Sequence, residues 1–108
     1  MKTKISGVNS GRYREQRQAT ISNCRPGDLL LLKREKDNPA DSNAVAVFVP
    51  GKLLFFIPVL KQIGYLNRKV AEQVAADMDG GFTVICRVLS VTGGGDYTYG
   101  LNVEVDTE

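Results

Sequence analysis

Residues 26–47 read PGDLLLLKREKDNPADSNAVAV, and the reading of this stretch decides the fold. Pro26-Gly27-Asp28 joins a residue of fixed φ, a residue free to take positive φ and a carboxylate able to bond nearby backbone, so it reads as a turn. Leu29–Lys33 follows as an aliphatic run of strand length, a polar loop intervenes, and Ala44–Val49 leaves as a second apolar run. Within the loop, Asn38 and Asp41 are residue types whose side chains accept from backbone N–H groups and brace turns. Turn, strand, braced loop and strand in this order is antiparallel β punctuation.

The same punctuation extends outward. Gly7, Gly11, Pro50-Gly51, Gly80-Gly81 and Gly93-Gly94-Gly95 separate further strand-length runs, Phe82–Val91 and Tyr99–Val105 among them. In the last run Leu101, Val103 and Val105 share one face while Asn102 and Glu104 take the other, the alternation of a half-buried strand. One helix stands out, from about Arg68 to Met78. Asn67 is placed to cap it, Val70, Val74 and Met78 recur every four residues beside Ala71 and Ala75, and Gly80-Gly81 supplies a left-handed stop. The segment from Pro50 to Gln62 is unusually apolar at Leu53–Leu60. We expect a hairpin packed on the body of the protein, with Pro58 at an edge or a break; the alternative is an exposed patch awaiting a partner.

The chain has 108 residues, of which 43% are hydrophobic and 24% charged, the size and balance of one globular domain. Cys24 and Cys86 lie far apart and there is no histidine, so neither a zinc spacing nor a disulfide framework is present, and two buried reduced thiols are expected. Without an imidazole no Cys/His or Ser/His nucleophile can be assembled, and we expect no enzyme, no cofactor and no metal. No apolar run approaches the roughly 18 residues of a membrane span, and Met1-Lys2-Thr3-Lys4-Ile5 lacks an apolar signal core; the expectation is a cytoplasmic protein that does not enter a membrane. Net charge is +2 but unevenly spread: residues 1–36 hold nine Lys/Arg against three Asp/Glu, and residues 70–108 hold one against seven. A face built from the N-terminal third would attract phosphates; scattered solvated arginines are the plainer reading of the same charges.

Taken together and in order, the Gly7-Val8 and Arg17-Gln18 pairs, the Gly-Asp turn, Asn38-Pro39-Ala40-Asp41-Ser42-Asn43-Ala44 and Ile63-Gly64-Tyr65-Leu66-Asn67-Arg68 closely resemble the HIRAN family over nearly the whole chain. The resemblance implies a mainly β protein, an OB-like six-stranded β-barrel with one or two short helices. It further implies a nucleic-acid-binding module, since family members attached to chromatin remodellers capture the 3′ end of single-stranded DNA. Carried over position by position, the pocket comprises Arg17, Gln18, Asn38, Asp41, Tyr65 and Arg68, with an aromatic from Tyr97 or Tyr99. A carboxylate such as Asp41 accepts a hydrogen bond from a terminal 3′-hydroxyl but repels the phosphate that an internal nucleotide carries there. Arg17 and Arg68 would hold neighbouring phosphates while a tyrosine stacks on a base.

Two departures stand out. Ala40 occupies the loop position where the family commonly has tyrosine, and Gln18 stands where an aromatic often follows the arginine. Each candidate also has a structural reading: Asn38 and Asp41 as turn braces, Arg17 and Arg68 as solvated strand and helix residues, Tyr65 as partly core. Two functions therefore follow as expectations. The first is capture of single-stranded DNA ends in repair or processing; the second is self-association as a homodimer through Leu53, Leu54, Phe55 and Phe56.

Overall fold

A computed structural model describes residues 1–53 and 57–108. Within them, six strands and two helices follow one another as β1 (Lys2–Ser6), α1 (Arg14–Ser22), β2 (Leu29–Arg34), β3 (Val45–Leu53), β4 (Ile57–Leu66), α2 (Arg68–Asp79), β5 (Val84–Gly94) and β6 (Tyr97–Thr107). All pairings are antiparallel, and the strands close into a barrel in the order β1-β4-β3-β2-β5-β6. The mainly β barrel expected from the sequence is the fold observed.

The stretch that opened the reading behaves as its residue types dictate. Asp28 accepts from the Arg25 N–H at 2.9 Å, while Gly27 N–H donates to Val88 O and Val88 N–H to Asp28 O, so the turn also stitches β2 to β5. Leu30 then faces inward and is buried, whereas Leu29 and Leu31 are outward and exposed. Inside the barrel Ile5, Leu30, Val45, Val47, Ile63 and Val88 meet Leu101, Val103 and Val105, the alternating face predicted for the last strand. Burial of each branched side chain stabilises the fold by about 1.5–3 kcal/mol. α2 adds Ala71, Val74 and Ala75 to this core. Its N-terminus is capped as expected, with Lys69 N–H donating to Asn67 Oδ1 at 3.1 Å, and Gly81 takes the left-handed φ of +87° just past its end.

Three features depart from expectation. First, Arg14–Ser22 is a helix, so Arg17 and Gln18 stand on α1 and not on a strand. Only Ile21 of α1 is buried, and Tyr13 at its N-terminus makes no side-chain capping bond, which left little periodicity to read. Second, β1 was not anticipated; it pairs with both β4 and β6 and closes the barrel. Third, the apolar segment is no packed hairpin on its β4 side: Ile57 and Leu60 are 53% and 57% exposed. β2 pairs with β3 only up to Phe48 and β1 with β4 only at Tyr65 and Leu66, so beyond those points β3 and β4 have only each other and form a two-stranded arm. Pro58 lies at an edge, one of the two placements expected, because β4 pairs there with β3 alone, and it does not break the strand, since it pairs opposite Lys52. The side chains of the expected self-association surface, Leu53, Leu54, Phe55 and Phe56, lie outside the described residues.

Cys24 and Cys86 are buried and unpaired, as expected. Burial pushes the Cys86 thiol up to about 12 and raises that of Cys24, where nearby Asp28 adds to the effect. Both stay protonated and inert at neutral pH.

Candidate functional site

The loop between β2 and β3 is held by backbone bonds from Glu35 N–H to Ala44 O, Asn38 N–H to Glu35 O and Ala44 N–H to Asp41 O, and by its own side chains. Asn38 Oδ1 accepts from Ala40 N–H at 2.9 Å and Asp41 N–H at 3.3 Å, and Asp41 Oδ1 accepts from Asn43 N–H at 2.9 Å. Arg34 spans the loop's far side, donating to the Ser42 and Ala44 carbonyls and, through Nε and Nη2, to the two carboxylate oxygens of Asp79 on α2. That fork holds the Asp79 carboxyl below its ordinary value, the hydrogen bond from Arg34 being the main cause. Bracing of the loop by Asn38 and Asp41 is therefore real.

Bracing leaves one oxygen of Asp41 facing outward. Asp41 Oδ2 lies 3.8 Å from Arg68 Nε, while Arg68 Nη2 donates to the Ala40 carbonyl at 3.0 Å. Arg68 is the first residue of α2, so the helix start and the loop meet at this pair. Its side chain is 76% exposed against 23% for Asp41, and an ion pair so open to water contributes only about 0–1 kcal/mol. Such a guanidinium is held weakly enough to turn to an incoming anion. Tyr65, near the end of β4, donates its hydroxyl to Glu35 Oε1 at 3.0 Å, and Asn38 Nδ2 donates to the same oxygen at 3.1 Å. Asn38, Asp41, Tyr65 and Arg68 thus surround one hollow of about 230 Å³, completed by Ser6, Ala40, Ala44 and Leu66.

The other sequence candidates are placed differently. Gln18 pairs its whole amide with backbone: Nε2 donates to the Val8 and Tyr99 carbonyls, and Oε1 accepts from Tyr99 N–H at 2.7 Å. It ties α1 to β6. Tyr99 is half-buried, with its ring against Gly94. Tyr97, two residues before it at the start of β6, is 78% exposed. Arg17 Nη1 donates at 2.8 Å to the carbonyl of Gly7, the neighbour of Ser6 in the hollow, and its Nε is buried without a partner. Neither Arg17, Gln18 nor the tyrosine pair lines the hollow itself. Sequence reasoning assigned no role to Glu35. Its signal was only its position at the loop entrance beside Arg34, because its partner Tyr65 lies thirty residues on.

Among the described residues no group of three or more His, Cys, Asp or Glu could hold a metal ion, and no helix is long and apolar enough to cross a membrane.

A family model for the HIRAN domain matches residues 3–107. The chain belongs to the HIRAN family. Among solved structures, this HIRAN chain is similar to a Lactobacillus plantarum protein determined by a structural genomics consortium. The two share 24% identity and a TM-score of 0.68, over 97% of this chain and 91% of the other. It is also similar to the HIRAN domain of human HLTF, at 18% identity and a TM-score of 0.59, over 97% of this chain and 73% of that one. These likenesses carry the barrel. No curated protein sequence gives a significant match.

Proposed function

We propose that this HIRAN domain is a nucleic-acid-binding module that takes the 3′ end of single-stranded DNA, in the setting of DNA repair or processing, and catalyses nothing. The observation that carries the reading is the convergence of Asp41, Arg68, Tyr65 and Asn38 on one hollow in a chain of this family. The free Oδ2 of Asp41 accepts the hydrogen bond of a terminal 3′-hydroxyl, and its negative charge disfavours any strand with a phosphate at that point. Arg68 leaves its weak pair with Asp41 for the phosphate that precedes the end. Tyr65 presents its ring to the terminal base, with its hydroxyl fixed by Glu35. Arg17 takes a further phosphate beside Gly7, Tyr97 is an exposed stacking surface on the β5–β6 hairpin, and Gln18 and Tyr99 hold α1 in place.

Fluorescence anisotropy with short labelled strands tests this. We expect a 3′-hydroxyl strand to bind at least about tenfold tighter than its 3′-phosphate counterpart, or about 1.4 kcal/mol. Asp41→Asn keeps an oxygen for the Asn43 brace but loses the charge, and should erase the discrimination without lowering the melting temperature. Equal binding of the two strands by the parent protein rules out end recognition. The exposed Ile57 and Leu60 favour a second reading, self-association along the arm. Light scattering decides it: a monomer at high concentration dismisses that role.

A further inference from the structure

A roomier concavity than the hollow is also present. It is a groove of about 550 Å³ between α1 and the β3–β4 arm, walled by Tyr13, Gln16, Arg17 and Thr20 on one side and by Leu60 and Lys61 on the other. One neighbouring depression shares its Tyr13 and Gln16 and adds Arg12 and Arg14, and another shares its Thr20 and Lys61 and adds Asn23 and Gly51. We propose that this groove holds the single-stranded stretch leading away, in the 5′ direction, from an end seated in the hollow. The proposal rests on the reading of the hollow given above and adds a path for the rest of the strand.

Five observations support it. β4 serves both depressions: Leu60 and Lys61 line the groove, and Tyr65 and Leu66 line the hollow. Lys61 and Tyr65 are four residues apart, and the bulge at Ile63 sets them opposite Val49 and Ala46, on opposite faces of the pair, so the path from groove to hollow turns past Arg17 and Gly7 instead of running along one face of β4. Arg17 stands at the junction, lining the groove and bonded to Gly7 next to the hollow's Ser6. The charge is of the right sign, because among the described residues lining the groove and its two neighbouring depressions Arg12, Arg14, Arg17 and Lys61 outnumber Glu15 and Asp28, a local excess in a nearly neutral molecule. Tyr13 is 53% exposed with the Arg12 guanidinium 5.9 Å from its ring centroid, an aromatic beside a cation, which is how base stacking and phosphate contact are combined in strand-tracking grooves. The wall also contains two buried donors without partners, Arg17 Nε and Gln62 Nε2. Rotation of either side chain toward the groove offers a donor to a phosphate oxygen. An acidic peptide would satisfy the charges but gives no reason for Tyr13 to stand exposed or for the groove to adjoin the hollow.

Binding of 3′-hydroxyl single strands of about two, four and eight nucleotides tests the proposal, the longest lying within the roughly 4–16 nucleotides that barrels of this kind accommodate. Affinity should rise at least about tenfold from the shortest to the longest. On the longest strand, Lys61→Ala and Arg12→Ala should each lower the slope of log affinity against log salt by about 0.7, and Tyr13→Ala should weaken binding roughly tenfold. None of the three should alter dinucleotide binding or the melting temperature. Affinity independent of length overturns the groove, as do variants that weaken all strands alike. So does displacement of the long strand by an oligoglutamate of equal charge at equal concentration. Failure of end capture reads out separately: if 3′-hydroxyl and 3′-phosphate strands bind alike while Tyr13 and Lys61 still matter on long strands, the hollow loses its role and the groove keeps its own.

Discussion

Gly64 lies where β1 crosses β4, with φ at +155°, a region of backbone space occupied essentially by glycine alone. A Cβ at this position would overlap the Ser6 carbonyl oxygen and approach Ile5 Cγ2 to 2.8 Å. The register also shifts here: Val47 faces Gly64 and Phe48 faces Gln62, leaving Ile63 as the extra residue of a bulge that drives its side chain into the core. Gly64→Ala should therefore destabilise the protein by at least about 3 kcal/mol, from the disfavoured backbone and the overlap together. Urea denaturation measures this, and a midpoint like that of the parent would contradict it. At this scale the sequence was informative where a side chain serves its own neighbours. Asn38 and Asp41 bond backbone two and three residues away, and their residue types foretold it. Glu35 and Gln18 were opaque, because each also binds a group far along the chain, Tyr65 thirty residues and Tyr99 eighty-one residues distant.

Among the elements, α2 was legible and α1 was not. α2 carries a capping Asn67, an apolar stripe and a glycine stop, each readable within a dozen residues. α1 buries Ile21 alone and is held from outside, by Gln18 on the backbone of β6 and Arg17 on Gly7. The β3–β4 arm shows the converse: its apolar residues suggested burial, yet Ile57 and Leu60 project into solvent because no third strand reaches them. The join between α2 and the β2–β3 loop carries a pH dependence. The hydrogen bond from Arg34 lowers the Asp79 carboxyl below its ordinary value of 3.8, so the folded state binds this proton less readily than the unfolded one. The stabilisation is fully present above that ordinary value and is lost as pH falls toward the lower folded value. Thermal melts of the parent and Asp79→Asn should differ at neutral pH and converge in acid; a constant difference down to pH values well below 3.8 would show that the fork is not the source.

At the scale of the whole molecule, the barrel closes only because β1, at one end of the chain, pairs at Lys2–Lys4 with β6, at the other, and at Ile5 and Ser6 with β4. Removing residues 1–6 would leave unpaired edges on β4 and β6 and expose the core beside Ile5. Such a variant should elute as aggregates in size-exclusion chromatography and lose cooperative unfolding, whereas a monomer melting like the parent would show closure to be dispensable. By itself the amino-acid order determined the strands that follow tight turns, the capped helix, the absence of a histidine-based catalyst and the family, because turn chemistry, periodicity and motif order are written in residues close to one another. Only the tertiary structure decided that Asn38, Asp41, Tyr65 and Arg68 share a hollow, that Gln18 is occupied with backbone, and that a basic groove runs beside the arm. Those outcomes depend on contacts between distant segments, and it is the closing of the barrel that brings such segments together.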